Sequence, residues 1–258
     1  MKLGFSSLAL FMSPYRNILE IAFEDGFDIV EILCEGPYLP RQVLEHKDEI
    51  NLNEVKDLAE SYDLELFLHG PTVDINPASM NSGIREESKR QIIEALELGD
   101  HLNVNAVTTH PGVVHRHERH IRDFAIEYAV DVFKDCQDFA EDVGVTLSIE
   151  NMPKKFSYLG NRFEELEKIA TEVGCGVTID WGHANTYKNP QDFLKISNIV
   201  YYHLNDNDGY KDQHLNLGEG TADFSREFLE KIDYGIVELN KYENVLHAKE
   251  FINSRLIC

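Results

Sequence analysis

Nine residues of metal-binding type punctuate the chain between positions 69 and 238: His69, His110, Glu150, Asp180, His183, His203, Asp212, His214 and Glu238. Imidazole and carboxylate are ligands that zinc accepts. A lone histidine is more often a hydrogen-bonded structural residue than a ligand, so the weight lies in the joint pattern. Four carboxylates gathered at one rim (Glu150, Asp180, Asp212 and Glu238) would cost several kcal/mol per ion unless cations offset them. Three divalent ions would bring +6 against −4, leaving about +2 at the rim of a chain whose formal charge is −22. A phosphate would be drawn to such a rim even though the outer surface repels it.

Residues this far apart meet only if a regular scaffold brings them together. Short apolar runs alternate eight times with stretches of helical periodicity. The runs predict strands over Leu3 to Ser6, Ile29 to Leu33, Leu64 to His69, Ala106 to His110, Val145 to Glu150, Gly176 to Asp180, Ile199 to Leu204 and Ile236 to Leu239. Most are too continuous in Val, Ile and Leu to leave a wet face, which suits a parallel sheet. The clearest helix is Phe124 to Val143, where Phe124, Tyr128, Val132, Cys136, Phe139 and Val143 recur at steps of three and four. Arg85 to Leu102, Glu164 to Val173 and Ser225 to Ile232 repeat the pattern. Eight strand and helix units in 258 residues fit one α/β domain spanning 1–258, a single (β/α)8 TIM barrel with its active site at the C-terminal strand ends. A doubly wound open sheet is the alternative, because periodicity alone does not show closure. Six consecutive runs end in or near a ligand type: His69, His110, Glu150, Asp180, His203 and Glu238. His183, Asp212 and His214 follow in loops, so closure would let all nine converge.

With 43% hydrophobic and 10% aromatic residues the chain has the composition of a packed globule, not a disordered or fibrous one. No Gly/Ser or Pro-rich linker divides it. Against 46 Asp plus Glu stand 24 Lys plus Arg, a balance that excludes broad nonspecific binding to nucleic acid or to an anionic membrane. No apolar run approaches the roughly 20 residues of a membrane span. The segment Leu3 to Met12 resembles a short signal peptide, yet no small-residue cleavage site follows and it reads equally well as a first strand. Cys34, Cys136, Cys175 and Cys258 lack the paired spacing of a metal knuckle or redox dithiol, as expected of reduced thiols in a cytoplasmic enzyme. His115, His117 and His120 read as a solvated loop, and Trp181 as core. The surface pattern specifies no oligomeric state.

Several short motifs carry a family resemblance: His69-Gly70-Pro71 with Asn76, His110-Pro111-Gly112, Ile149-Glu150-Asn151, Asp180-Trp181-Gly182-His183, His203-Leu204-Asn205-Asp206, Asp212-Gln213-His214 with Leu217-Gly218-Glu219-Gly220, and Ile236-Val237-Glu238-Leu239. Together they make the chain resemble the endonuclease IV family of abasic-site nucleases, within the wider superfamily of xylose isomerase-like barrels. The resemblance implies a trinuclear zinc centre. One ion would sit on His69, His110 and Glu150; Glu150 would bridge to a second on Asp180, His203 and Glu238; a third would use His183, Asp212 and His214. The implied chemistry is phosphodiester hydrolysis, with abasic-site DNA as the family substrate. A hydroxide held between the first two ions would attack phosphorus, and Glu150 would orient it as the catalytic carboxylate.

Two features depart from that family. Thr72 stands where it carries a lesion-probing Tyr, and the rim is thinly basic, with Arg16, Arg41, Arg85, Arg116, Lys154, Lys155, Lys188 and Lys211 scattered among acids. The alternative is a sugar or sugar-phosphate isomerase or epimerase of the same superfamily. Such an enzyme would hold one divalent ion, manganese or another, on Glu150, Asp180, His203 and Glu238. Those four residues are common to both readings; His69, His110, Asp212 and His214 favour three ions.

Overall fold

The computed structural model describes residues 1–46 and 50–257. Eight parallel strands follow one another around a closed barrel. They are β1 (Lys2–Ser6), β2 (Ile29–Leu33), β3 (Glu65–His69), β4 (Ala106–Thr109), β5 (Thr146–Glu150), β6 (Gly176–Asp180), β7 (Ile199–Leu204) and β8 (Tyr234–Val237). Closure rests on β1 pairing with β8, Lys2 opposite Tyr234 through Phe5 opposite Val237. That pairing removes the open-sheet alternative. Helices α1 (Tyr15–Glu24), α2 (Pro40–Glu45), α3 (Leu52–Ser61), α4 (Ser82–Leu102), α5 (Arg119–Val143), α6 (Phe163–Val173), α7 (Trp181–Asn185), α8 (Arg226–Leu229) and α9 (Tyr242–Ile257) lie between or after the strands.

Helix ends follow local chemistry. The Asn81 side chain accepts a hydrogen bond from Gly83 N to start α4, while α5 and α6 stop at Gly144 and Gly174, both in the left-handed region with φ of 74° and 81°. The helix expected over Ser225 to Ile232 shrinks to the single turn Arg226–Leu229.

Alternation along each strand sorts the side chains. Outward residues such as Phe5, Val30, Ile32, Leu68, Val107, Leu147, Ile149, Val177, Ile179 and Val237 join the helices in the main core. The inner face is different: Ile29, Phe67, Ala106, Tyr201 and Ile236 form a small separate apolar cluster. Two residues further along come Glu31, His69, Thr108 and His203 on the same strands, and Glu238 just past the end of β8. The barrel interior is thus an apolar plug under a polar layer. The expectation of uniformly apolar strands holds only for the outer face.

Two strand ends differ from expectation. Thr109 ends β4, because Pro111 lacks the N–H that would extend the ladder, so His110 lies one residue beyond the strand. β8 starts at Tyr234 and ends at Val237, leaving Glu238 just past it, though Glu238 N still donates to Leu204 O. Among the described residues no helix is long and apolar enough to cross a membrane. Cys34, Cys136 and Cys175 are free and buried; Cys258 lies outside the described residues. Trp181 is core, stacked on Phe228 with its indole N–H donating to Asp223 O.

Candidate metal centre

At the C-terminal mouth of the barrel the nine expected residues converge. Their donor atoms fall into three groups: His69, His110 and Glu150; Glu150, Asp180, His203 and Glu238; and His183, Asp212 and His214, each with all its atoms within 4.8 Å of one another. Glu150 belongs to two of them. Its Oε2 lies 3.2 Å from His69 Nε2 and 3.1 Å from His110 Nε2, and its Oε1 lies 3.2 Å from His203 Nδ1. On the far side, Asp212 sits 3.2 Å from His183 Nε2 and 3.4 Å from His214 Nε2. Among the described residues, His115, His117 and His120 belong to no such group; His117 instead stacks on Phe156 at 3.7 Å.

The second ring nitrogen of three imidazoles is already engaged by the backbone. Nδ1 of His69, His183 and His214 lies 2.9, 2.8 and 2.9 Å from the carbonyl oxygens of Gly70, Asn151 and Glu238. A carbonyl only accepts, so each Nδ1 carries the proton and each Nε2 turns a lone pair inward. That is how a metal-ligating histidine is held, and the donor set fits divalent ions of the zinc class.

Loop packing completes the site. Asp180 caps the turn of α7: its Oδ1 accepts from His183 N at 2.5 Å and its Oδ2 accepts from Asn205 Nδ2 at 2.7 Å. Asn151 clamps the same residue, accepting from Asp180 N and donating to Asp180 O. Gly182 must be glycine, since a Cβ there would overlap the Asn205 side chain. The loop carrying Asp212 and His214 is folded back by Asp206, whose carboxylate accepts from the backbone N–H of Asn207, Gly218, Gly220 and Ala222 at 2.8 to 3.0 Å. Asn76 ties the loop after β3 to that after β4, bonding both N–H and C=O of Val113. The motif residues that are not ligand types are the ones that build these loops. Thr72 ties the loop after β3 to the loop after β2: its N–H and hydroxyl both donate to Glu35 Oε1, at 2.6 and 2.8 Å.

The carboxylates gathered at the mouth raise the imidazoles that face them. Burial opposes charge on His69, but Glu150, Glu31 and Glu238 prevail and raise its pKa to about 9. His214, opposed by burial and favoured by Asp212 and Glu238, rises to about 10. His183 and His203 go well above their ordinary value despite burial, chiefly through Asp180 for the first and Glu31 for the second. Burial, and then Glu150, lift Asp180 to about 7. Glu150 is held well below the carboxylate range because the surrounding imidazoles outweigh its burial.

One residue was missed at the sequence level. Glu31 is wholly buried on β2 and accepts from His203 Nε2 at 2.8 Å and from the Tyr201 hydroxyl at 2.7 Å. The signal was a lone carboxylate inside the apolar strand Ile29-Val30-Glu31-Ile32-Leu33.

A family description of the xylose isomerase-like TIM barrel matches residues 19–252. An uncharacterised Methanocaldococcus jannaschii protein, MJ1311, is 32% identical, the alignment covering 99% of this chain and 89% of the relative. A probable endonuclease 4 from Ureaplasma parvum is 29% identical over 75% of this chain and 68% of its own length. Among solved structures, a D-tagatose 3-epimerase-like protein superposes with a TM-score of 0.86 at 32% identity, covering 100% of this chain and 97% of that one. Endonuclease IV from Thermus thermophilus has the same fold, with a TM-score of 0.80 at 21% identity over 100% of this chain and 99% of its own.

Proposed function

The chain belongs to the xylose isomerase-like TIM barrel family, and from that premise we propose that it is a metal-dependent hydrolase that cleaves a phosphodiester at a three-ion centre. One observation carries this reading. Beyond the four residues a one-ion sugar enzyme needs, the mouth holds one further complete donor group, His183 with Asp212 and His214, and a pair, His69 with His110, that shares Glu150 to complete another. Ions of the zinc class in such groups supply Lewis acidity and neutralise charge that builds on phosphorus oxygens.

The chain's own residues do the rest. Glu150, set between the first two groups, holds them in fixed register and is placed to orient the attacking nucleophile as the catalytic carboxylate. His110, Asp212 and His214 are the most open members, with side chains 28%, 25% and 18% exposed, and so face an incoming phosphate. Asp180 and His203 are fully buried and anchor the base of the site. Counting Glu31, five carboxylates line the centre, so three divalent ions would leave about +1.

A second reading, a sugar or sugar-phosphate epimerase using Glu150, Asp180, His203 and Glu238 with a single ion, draws support from the 32% identity to the epimerase-like barrel. The acidic surface also suits a small substrate better than a polyanion. Incubation with a duplex carrying one abasic site, over a salt series and beside a panel of ketoses and sugar phosphates, separates the two. Chelator-sensitive strand scission is expected. Turnover of a ketose with no scission at any salt would overturn the hydrolase reading.

A further inference from the structure

The hydrogen-bond directions inside the barrel can be assigned one by one. Glu31 Oε1 lies 2.7 Å from the Tyr201 hydroxyl, which also lies 2.5 Å from Thr108 Oγ1. Thr108 Oγ1 is 2.6 Å from Thr178 Oγ1, and that atom is 2.7 Å from Ser148 Oγ. All five residues are fully buried. An ionised carboxylate only accepts, so Tyr201 spends its single proton on Glu31. Thr108 must then donate to Tyr201, Thr178 to Thr108 and Ser148 to Thr178. Four hydroxyls in series therefore aim their positive ends at Glu31, each bond polarising the next.

His203 is the anomaly among the engaged imidazoles. His69, His183 and His214 give Nδ1–H to a backbone carbonyl and present Nε2. His203 instead gives Nε2–H to a carboxylate and presents Nδ1, which faces Glu150 Oε1 at 3.2 Å and Glu238 Oε2 at 3.6 Å. We infer that Glu31, charged and aligned by the chain from Ser148 to Tyr201, is a positioning residue that selects the metal-ready tautomer of His203 and strengthens it as a donor to the second ion alone. This rests on the metal reading of the site. A carboxylate behind a ligating imidazole raises its basicity, and losing such a partner typically costs 10- to 100-fold in metal affinity.

The test compares wild type, Glu31→Gln and Tyr201→Phe, each stripped with chelator and titrated with cobalt(II) by calorimetry and by visible absorption. Gln keeps the shape and an oxygen acceptor but removes the charge. One cobalt of the wild-type complement should weaken roughly 10- to 100-fold in Glu31→Gln, with its absorption bands shifted and the remaining ions unchanged. Tyr201→Phe should weaken the same ion by less, and it keeps the test alive should the Gln variant not fold. Equal affinity for every ion in wild type and variants would overturn the inference while leaving the metal centre standing. Uniform weakening of all ions with a lowered Tm would overturn it too, marking Glu31 as structural only. A wild type that takes up no ion at the His203 group would end both readings.

Discussion

Stripping the ions should make stability fall as pH rises from about 6.5 to 10, whereas the loaded protein should be nearly flat over that range. In the metal-free centre the folded pKa of His69 is about 9 against 6.5 for an ordinary imidazole, and that of His214 is about 10. A group whose folded pKa lies above its unfolded value contributes stability that is complete below the unfolded value and lost as pH rises through the folded one. Asp180, lifted from 3.8 to about 7, adds loss of the same sign between those two values. The buried His69 alone, moving from 6.5 to about 9, corresponds to roughly 3 kcal/mol. For a domain of this size that is a fall in Tm of about 6 to 12 °C. Once ions occupy the lone pairs the imidazoles hold no exchangeable proton there, so the dependence should vanish. The assay is thermal melting at fixed ionic strength, with chelator and with saturating zinc. A stripped protein whose Tm is flat or rises with pH, or two profiles that overlay, would refute the reasoning.

Two further substitutions probe the site by different routes. Glu150→Gln removes the carboxylate shared by two groups and should abolish turnover while circular dichroism still reports a folded barrel; full turnover would take Glu150 out of the mechanism. Asp206→Ala strips the acceptor from four backbone N–H groups, which should cost about 3 kcal/mol or more in denaturant unfolding. It should also release the ion of His183, Asp212 and His214 first, so a variant that keeps its full metal content and stability would contradict the loop's role.

The barrel was legible in the sequence because its helices and outer strand faces are apolar with strong periodicity. The nine residues that converge at the mouth were legible as candidates because carboxylates and imidazoles at strand ends stand out against apolar runs. Closure was not, since the pairing of Lys2 with Tyr234 leaves no local mark. The polar interior was also hidden: Thr108, Ser148, Thr178 and Tyr201 are ordinary strand formers, and only register shows that they share the inner face. Glu31 was passed over because it ends no strand. Asn151, Asn205 and Asp206 were noticed as motif residues, but their roles as clamps on Asp180 and on the loop bearing Asp212 required coordinates.

Metal stoichiometry bears most directly on the central claim. Elemental analysis of protein purified without chelator should find close to three zinc per chain. A firm value of one, above all one manganese or cobalt, would contradict the three-ion centre and move the chain to sugar chemistry.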